Sequence, residues 1–152
     1  MRTCPNCGEE NSDRFRLCGF CGAPLAPALP PQEVRKTVTV LFADVAGSTA
    51  LGERLDPESF RRVMGRYHDA AKACVERHGG TVEKFIGDAV MAVFGVPRMH
   101  EDDALRALRA AADLGDSLAA LNDQLEQDYG VSLKVRTGVN SGEVVTGMDG
   151  LL

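Results

Sequence analysis

Six side chains in this sequence have the type and spacing to do chemistry. Four are cysteines packed into the first 21 residues, Cys4-Pro-Asn-Cys7-Gly and Cys18-Gly-Phe-Cys21-Gly, with ten residues between the two pairs. A two-residue gap lets both thiolates of a pair reach one ion, and the glycine after each second cysteine permits a turn that aims backbone N–H groups at sulfur. Four thiolates suit a closed tetrahedral zinc site with Zn–S bonds of ~2.3 Å. A segment this short cannot bury enough apolar surface to fold alone, so Zn²⁺ would supply its folding energy. Two disulfides or a redox pair are the alternatives. No secretion signal precedes Cys4, and redox motifs rarely come doubled with glycines. The gap of ten is shorter than the usual spacing of ~15–20. With all four ligand positions filled by protein, the site is structural and not catalytic.

The other two are Asp44 and Asp88. Asp44 ends the apolar run Val38-Thr-Val-Leu-Phe-Ala, and Asp88 follows Gly87 between two apolar segments. If strand and hairpin are neighbours in one sheet, the carboxylates approach each other at one edge. Paired carboxylates repel unless a cation intervenes, so a pair of Mg²⁺ or Mn²⁺ ions is their natural partner. After Asp44, residues Ala46, Gly47, Ser48 and Thr49 can present consecutive backbone N–H groups at a helix start, an anion nest suited to a triphosphate. Either aspartate alone would be an ordinary cap or turn residue. Their combination with the Gly-Ser-Thr turn, and with Lys84 four positions before Asp88, points to a nucleotide site.

The elements that must position these groups can be read from periodicity. Thr37 to Ala43 is β-branched and apolar, a buried strand. Gly47-Ser48-Thr49 offers a turn and a helix cap. Asp56-Pro57-Glu58 starts a helix: Asp caps, Pro fits the first helical position, and Glu suits the positive end. Phe60, Val63, Met64, Tyr67, Ala71, Cys74 and Val75 form its apolar face, and His78-Gly79-Gly80 ends it. Thr81 to Ile86 and Ala89 to Phe94 are strands joined by the tight turn Gly87-Asp88. A long helix opens at Glu101-Asp102-Asp103, with Leu105, Leu108, Ala111, Leu114, Leu118, Leu121 and Leu125 on one side, and ends at Gly130. Val131 to Val139 and Glu143 to Thr146 read as two strands around a turn at Asn140-Ser141-Gly142. The order β-α-β-β-α-β-β predicts an α+β fold: a ferredoxin-like antiparallel sheet with helices on one face, behind the small cysteine head.

Composition sets the outer limits. The 152 residues carry a formal net charge of −5, with 44% hydrophobic and 26% charged residues and no Trp. That is a globular composition with a core of Val, Leu, Ala and Phe. Arg2, Arg14, Arg16, Arg35 and Lys36 against Glu9, Glu10, Asp13 and Glu33 leave the first 36 residues at +1 and the remainder at −6. An acidic body disfavours nucleic acid or anionic membrane as partner. The longest apolar run, Ala89 to Val96, falls far short of the ~20 residues of a membrane span, and the expected location is the cytoplasm. The stretch Ala23-Pro-Leu-Ala-Pro-Ala-Leu-Pro-Pro31 holds four of the seven prolines. It reads as a semi-rigid linker over 23–35, between a head at 1–22 and a body at 36–152.

Three blocks of the body resemble the class III nucleotidyl cyclase catalytic domain: Leu41-Phe-Ala-Asp44-Val-Ala-Gly-Ser-Thr49, Glu83-Lys84-Phe-Ile-Gly-Asp88-Ala-Val-Met-Ala-Val-Phe94, and Arg136-Thr-Gly-Val-Asn-Ser-Gly-Glu-Val-Val145. The head is similar to the short zinc ribbons of bacterial multidomain proteins. The resemblance covers about Lys36 to Gly147 and implies a phosphorus–oxygen lyase making cyclic AMP or cyclic GMP in intracellular signalling. It implies two divalent ions held by Asp44 and Asp88, with the backbone carbonyl of Val45 as a further ligand. One ion would activate the ribose 3′-hydroxyl for attack on the α-phosphate; the other would bind the β- and γ-phosphates and help pyrophosphate leave. Lys84 matches the purine-contacting position. A lysine donor suits the N1 acceptor of adenine, so the implied substrate is ATP.

In the family, a second purine-selecting residue, an Asn and an Arg follow the last matched block, and sites form between two subunits. This sequence ends at Leu152, before those positions, and Arg136 and Asn140 do not substitute for them. The expectation is a chain that binds metal–ATP weakly and does not cyclise it efficiently alone, since losing such electrostatic stabilisation costs ~10²–10³ in rate. A homodimer would lack the arginine, whereas pairing with a complete cyclase domain could restore one site. The alternatives are a catalytically dead, cyclase-like regulatory partner and a zinc-ribbon interaction module. Retention of Asp44, Asp88 and Lys84 argues against the first, and the acidic body argues against nucleic acid for the second. Four other candidates read as structural: His68 and His78 as solvated residues on or just after the first long helix, His100 with its neighbouring acids as a helix start, and Cys74 as packing.

Overall fold

The computed structural model describes residues 1–25 and 34–146. The chain divides into two compact units, Met1–Gln32 and Glu33–Leu152.

In the first unit, β1 (Arg2–Thr3) pairs antiparallel with β2 (Glu10–Asn11). Each cysteine pair closes on itself, with the Gly8 N–H donating to the Cys4 carbonyl and the Gly22 N–H to that of Cys18, both at 2.9 Å. Both glycines have positive φ, 77° and 72°, the conformation that such turns require and that glycine adopts without strain. Cys4, Cys18 and Leu25 make a buried centre too small to stand alone. The first residues of the proline-rich stretch belong to this unit: Leu17 bridges Pro24, and the Leu25 N–H donates to the Arg16 carbonyl at 2.8 Å. Residues 26–33 of the predicted linker lie outside the described residues, and its last two, Val34 and Arg35, begin the first strand of the second unit.

The second unit is an α+β sandwich. Its elements are β3 (Val34–Ala46), α1 (Ser48–Arg54), α2 (Pro57–Arg77), β4 (Thr81–Ile86), β5 (Ala89–Phe94), α3 (Asp103–Tyr129) and β6 (Lys134–Thr146). The four strands form an antiparallel sheet in the order β4-β5-β3-β6. Period-two alternation sends Leu41, Ala43 and Val45 of β3 and Val90, Ala92 and Phe94 of β5 toward the helices. There they meet Val63, Tyr67, Ala71 and Cys74 of α2 and Ala107, Ala110, Leu114 and Leu125 of α3. The Asp56 side chain caps α2, accepting from the Ser59 N–H at 2.9 Å, with Pro57 in the first turn as its fixed φ favours.

Three expectations need correction. The first strand runs from Val34 to Ala46, longer at both ends than the apolar core that signals it. Asn140-Ser141-Gly142 is not a turn: it lies inside the single 13-residue strand β6, opposite Val40, Thr39 and Val38. A tight turn there would favour a positive φ at Gly142, and this glycine has none. The Thr39 and Ser141 hydroxyls pair across the ladder at 2.7 Å instead. On α3, Leu105 and Leu108 are exposed while Ala107 and Ala110 are buried, so the core-facing stripe at the start of this helix is built of alanine.

Candidate active site

The alternation that buries Ala43 and Val45 turns Asp44 to the other face of the sheet, together with Phe42. In register, Asp44 lies opposite Ala89 of β5 on one side and Arg136 of β6 on the other. Directly opposite residues share a face. One cross-strand row therefore reads Ile86, Ala89, Asp44, Arg136, and the next reads Lys84, Met91, Phe42, Gly138. Lys84 stands on this open face, exposed, just beyond an irregularity in β4 between Val82 and Lys84.

Asp88 occupies the hairpin tip immediately before Ala89, the partner of Asp44. Gly87 takes the left-handed φ of 60° that makes the two-residue turn possible. The two aspartates are thus brought to the same end of the sheet by strand register. The Tyr67 phenol lies beneath that end, fully buried, and donates to the Ala43 carbonyl at 3.3 Å. Burial first, then the charges of Asp44 and Asp88, push its pKa well above the ordinary tyrosine value.

The site contains one cation whose position periodicity does not reveal. Arg136 Nη2 donates to Asp44 Oδ2 at 3.0 Å and balances the carboxylate. Its strand is anchored at the entry by Asn122 of α3, which donates to the Leu133 carbonyl at 2.9 Å and accepts its N–H at 2.7 Å. Only the β3–β6 register places Arg136 here; in sequence it is 92 residues from Asp44.

The expected cap at Gly47-Ser48-Thr49 is made by backbone alone. Gly47 is the N-cap with φ 71° and no side-chain cap bond. The first intrahelical bond runs from the Leu51 N–H to the Gly47 carbonyl, so the N–H groups of Ser48, Thr49 and Ala50 precede the ladder. Ala46 is the last residue of β3, and Val45, beside Asp44, pairs with Val135.

In the head, Cys4, Cys7, Cys18 and Cys21 place their sulfurs within 4.8 Å of one another. Cys4 and Cys21 are 3.5 Å apart and Cys7 and Cys18 are 3.6 Å apart. A tetrahedral ion with ~2.3 Å bonds needs sulfurs roughly 3.8 Å apart, so the cluster fits Zn²⁺. Asn6 and Phe20 direct backbone N–H groups at Cys4 and Cys18 Sγ, each at 3.4 Å, and the Asn11 amide reaches Cys18 at 3.4 Å. Backbone donation, from Cys21 and then Phe20, with the Asn11 amide, holds Cys18 down to about 6 against the opposing effect of burial. Cys7 moves the other way: despite a backbone hydrogen bond at Glu9, burial and the surrounding sulfurs push it up to about 12.

Of the side chains read as structural, Cys74 is buried and meets Ser117 Oγ at 3.3 Å. His100 donates its backbone N–H to Asp103 at 2.7 Å at the start of α3. His68 of α2 and His78, the residue that ends it, are less solvated than expected. His78 Nε2 lies 3.1 Å from Asp113 Oδ2, and His68 packs on Phe85 at 4.5 Å between ring centres.

The second unit is an antiparallel α+β domain that brings two aspartates and an arginine to one sheet end, and the first carries a tetrathiolate cluster. Residues 31–152 match the adenylate and guanylate cyclase catalytic domain, and residues 3–25 match a zinc-ribbon domain. The chain belongs to the adenylate and guanylate cyclase catalytic domain family, whose class III members use divalent metals and typically dimerise. A crystal structure of a guanylyl cyclase is 34% identical with a TM-score of 0.71, covering 74% of this chain and 57% of that one. The adenylyl cyclase CyaB from P. aeruginosa is 31% identical with a TM-score of 0.71, covering 75% and 60%. An adenylate cyclase of Anabaena cylindrica is 29% identical over 119 residues, 76% of this chain and 23% of its own length. The chain thus spans about a quarter of that curated relative. No helix among the described residues is long and apolar enough to cross a membrane.

Proposed function

We propose that this chain is an adenylate cyclase-type domain acting on ATP to give cyclic AMP and pyrophosphate. The reading is supported by strand register, which puts Asp44 and Asp88 at the same end of the sheet, with Lys84 on the same open face as Asp44. Asp44 and Asp88, with the Val45 carbonyl, would hold two Mg²⁺ or Mn²⁺ ions. When bound, these ions lower the pKa of the ribose 3′-hydroxyl and neutralise phosphate charge.

The chain's own side chains do the rest. The Lys84 ammonium donates to N1 of adenine; guanine carries a hydrogen there and would present donor to donor. Ala46, Gly47, Ser48 and Thr49 offer N–H groups to the triphosphate. Arg136 is paired with Asp44 while no ion is there. With Asp44 engaged by a divalent ion, the Arg136 guanidinium would be released to bond a phosphate oxygen.

The open face exposes Phe42 and Ile86 around these groups. Such a face supports pairing with a second copy or with a complete cyclase domain. Residues 34–146 supply metal and base contacts, and a cyclase domain paired with them would supply the transition-state asparagine and arginine that the resemblance implies. The test is Mn²⁺-dependent ATP turnover by this chain mixed with a complete cyclase domain whose own metal aspartates are replaced by Asn. Cyclic AMP from the mixture, and from neither protein alone, is the expected result. Turnover of GTP in place of ATP would overturn the purine assignment. No product from a mixture that demonstrably associates would overturn the cyclase reading of this half-site.

A further inference from the structure

Beneath the metal-binding end, on the helix side, lies a cavity of about 520 Å³ lined by Ser48, Phe60, Arg61, Met64, Gly87 and Asp88, with Pro57 at its edge. It joins three parts of the chain: the first residue of α1, the first two turns of α2, and the hairpin tip. Its floor is apolar, with Met64 buried and Phe60 half-buried. Its one cation is Arg61.

Arg61 differs from several arginines of the same unit. Arg66 is paired with Asp128, Arg77 with Asp113, Arg106 with Asp102 and Arg136 with Asp44. Arg61 makes no ion pair or hydrogen bond with the described residues and is exposed beside the tip that carries Asp88. A guanidinium over an apolar floor attracts an anion more strongly than one in open water, because the low-dielectric wall screens it less.

Charge balance indicates which anion. A nucleoside triphosphate carries four negative charges and the two aspartates add two. Two divalent ions offset four of these six, and Arg136 offsets one more. Lys84 lies across the open face, at the base. Counting this chain's own groups alone, one negative charge remains on the phosphate chain. Asp88 and Ser48 border the cavity that Arg61 borders, so a phosphate bound at that end comes within its reach.

We propose that Arg61 binds the terminal phosphate of the nucleotide from the α2 side, as a substrate-binding residue additional to the aspartates and the turn after β3. The inference rests on the nucleotide reading of Asp44 and Asp88.

The experiment measures binding by the full chain with Mn²⁺ present, by titration calorimetry. The proteins are the natural chain, Arg61→Ala and Arg61→Lys; the probes are inorganic tripolyphosphate, ATP and adenosine. Arg61→Ala is expected to weaken tripolyphosphate and ATP by a similar factor, roughly tenfold. Adenosine binding should not change, and Arg61→Lys should recover part of the loss. Circular dichroism and thermal melting should be unaltered, because the side chain is exposed. Equal binding of tripolyphosphate by Arg61→Ala and the natural chain overturns the assignment of Arg61 alone. A parallel loss for adenosine overturns it too, since a structural defect would weaken every probe. If the natural chain binds neither tripolyphosphate nor ATP with Mn²⁺, the metal–nucleotide reading fails, and Arg61 falls with it.

Discussion

Replacing Arg136 by alanine should move two affinities in opposite directions. The guanidinium sits 3.0 Å from Asp44, with the two side chains 74% and 31% exposed. At that separation the Coulomb attraction in water is about 1.4 kcal/mol, and the net value of such exposed pairs is about 0.2–1 kcal/mol once solvation and side-chain entropy are counted. A metal ion arriving at Asp44 must displace this partner. Arg136→Ala should therefore tighten Mn²⁺ binding in the absence of nucleotide by roughly 1.4- to 5-fold. With ATP present the same arginine is free to bond a phosphate, a charge-assisted interaction of about 1.5–3 kcal/mol. Its exposure favours the lower end, so Mn²⁺–ATP binding should weaken by roughly tenfold. Titration of Mn²⁺ by electron paramagnetic resonance, with and without ATP, reads both quantities on one sample. Two changes of the same sign, or none in either, would refute the idea that Arg136 passes from carboxylate to phosphate. Arg136→Lys should keep the first effect small, because it retains the charge, and lose part of the second, because it loses the fork.

Other outcomes follow from single contacts. Gly80→Ala would place a Cβ 2.6 Å from the Phe94 ring, which is fully buried in the core. Urea unfolding should show a loss of about 1–3 kcal/mol from overpacking. Lys84→Glu, assayed with a complementing cyclase domain, should shift preference from ATP toward GTP, because a carboxylate accepts from the hydrogen that guanine carries at N1. In the head, the Cys18 thiol is held at about 6 against an ordinary 9.0. Its ionised form stabilises the folded head fully above the ordinary value, and that contribution is lost as pH falls through about 6. Protons compete with zinc for all four thiolates, so zinc retention, followed with a colorimetric chelator, should decline on acidification. Chelation at neutral pH should unfold residues 1–25 while leaving the helical signal of the second unit intact.

The helices of the second unit are legible because each carries its own boundary chemistry. Asp56-Pro57 and the spacing of Val63, Tyr67, Ala71 and Cys74 mark α2 without reference to any other element. The strands are legible where one face must be apolar, which is why Thr37 to Ala43 stands out and its polar extensions do not. Asn140-Ser-Gly142 misleads because turn preference is local, whereas the strand is imposed by 13 pairings with β3. Leu105 and Leu108 mislead in a similar way: helical period gives the stripe but not which of two adjacent stripes faces the sheet. At the site, Asp44, Asp88 and Lys84 are visible from their own surroundings. Arg136 opens a matched block but its sequence neighbours give it no partner, and nothing near Arg61 distinguishes it from other surface arginines. Only strand register and the packing of α2 beside the hairpin bring them close.

The two aspartates are mounted very differently. Asp44 is fixed in an interior strand with hydrogen-bonded neighbours on both flanks, β5 and β6, whereas Asp88 rides a two-residue turn at the end of the edge hairpin. Any adjustment to a cation of different radius must therefore come from the tip, with Asp44 as the fixed jaw and Asp88 as the moving one. Substitutions that stiffen or loosen residues 86–89 should alter the choice between Mg²⁺ and Mn²⁺ more than changes of equal size in β3.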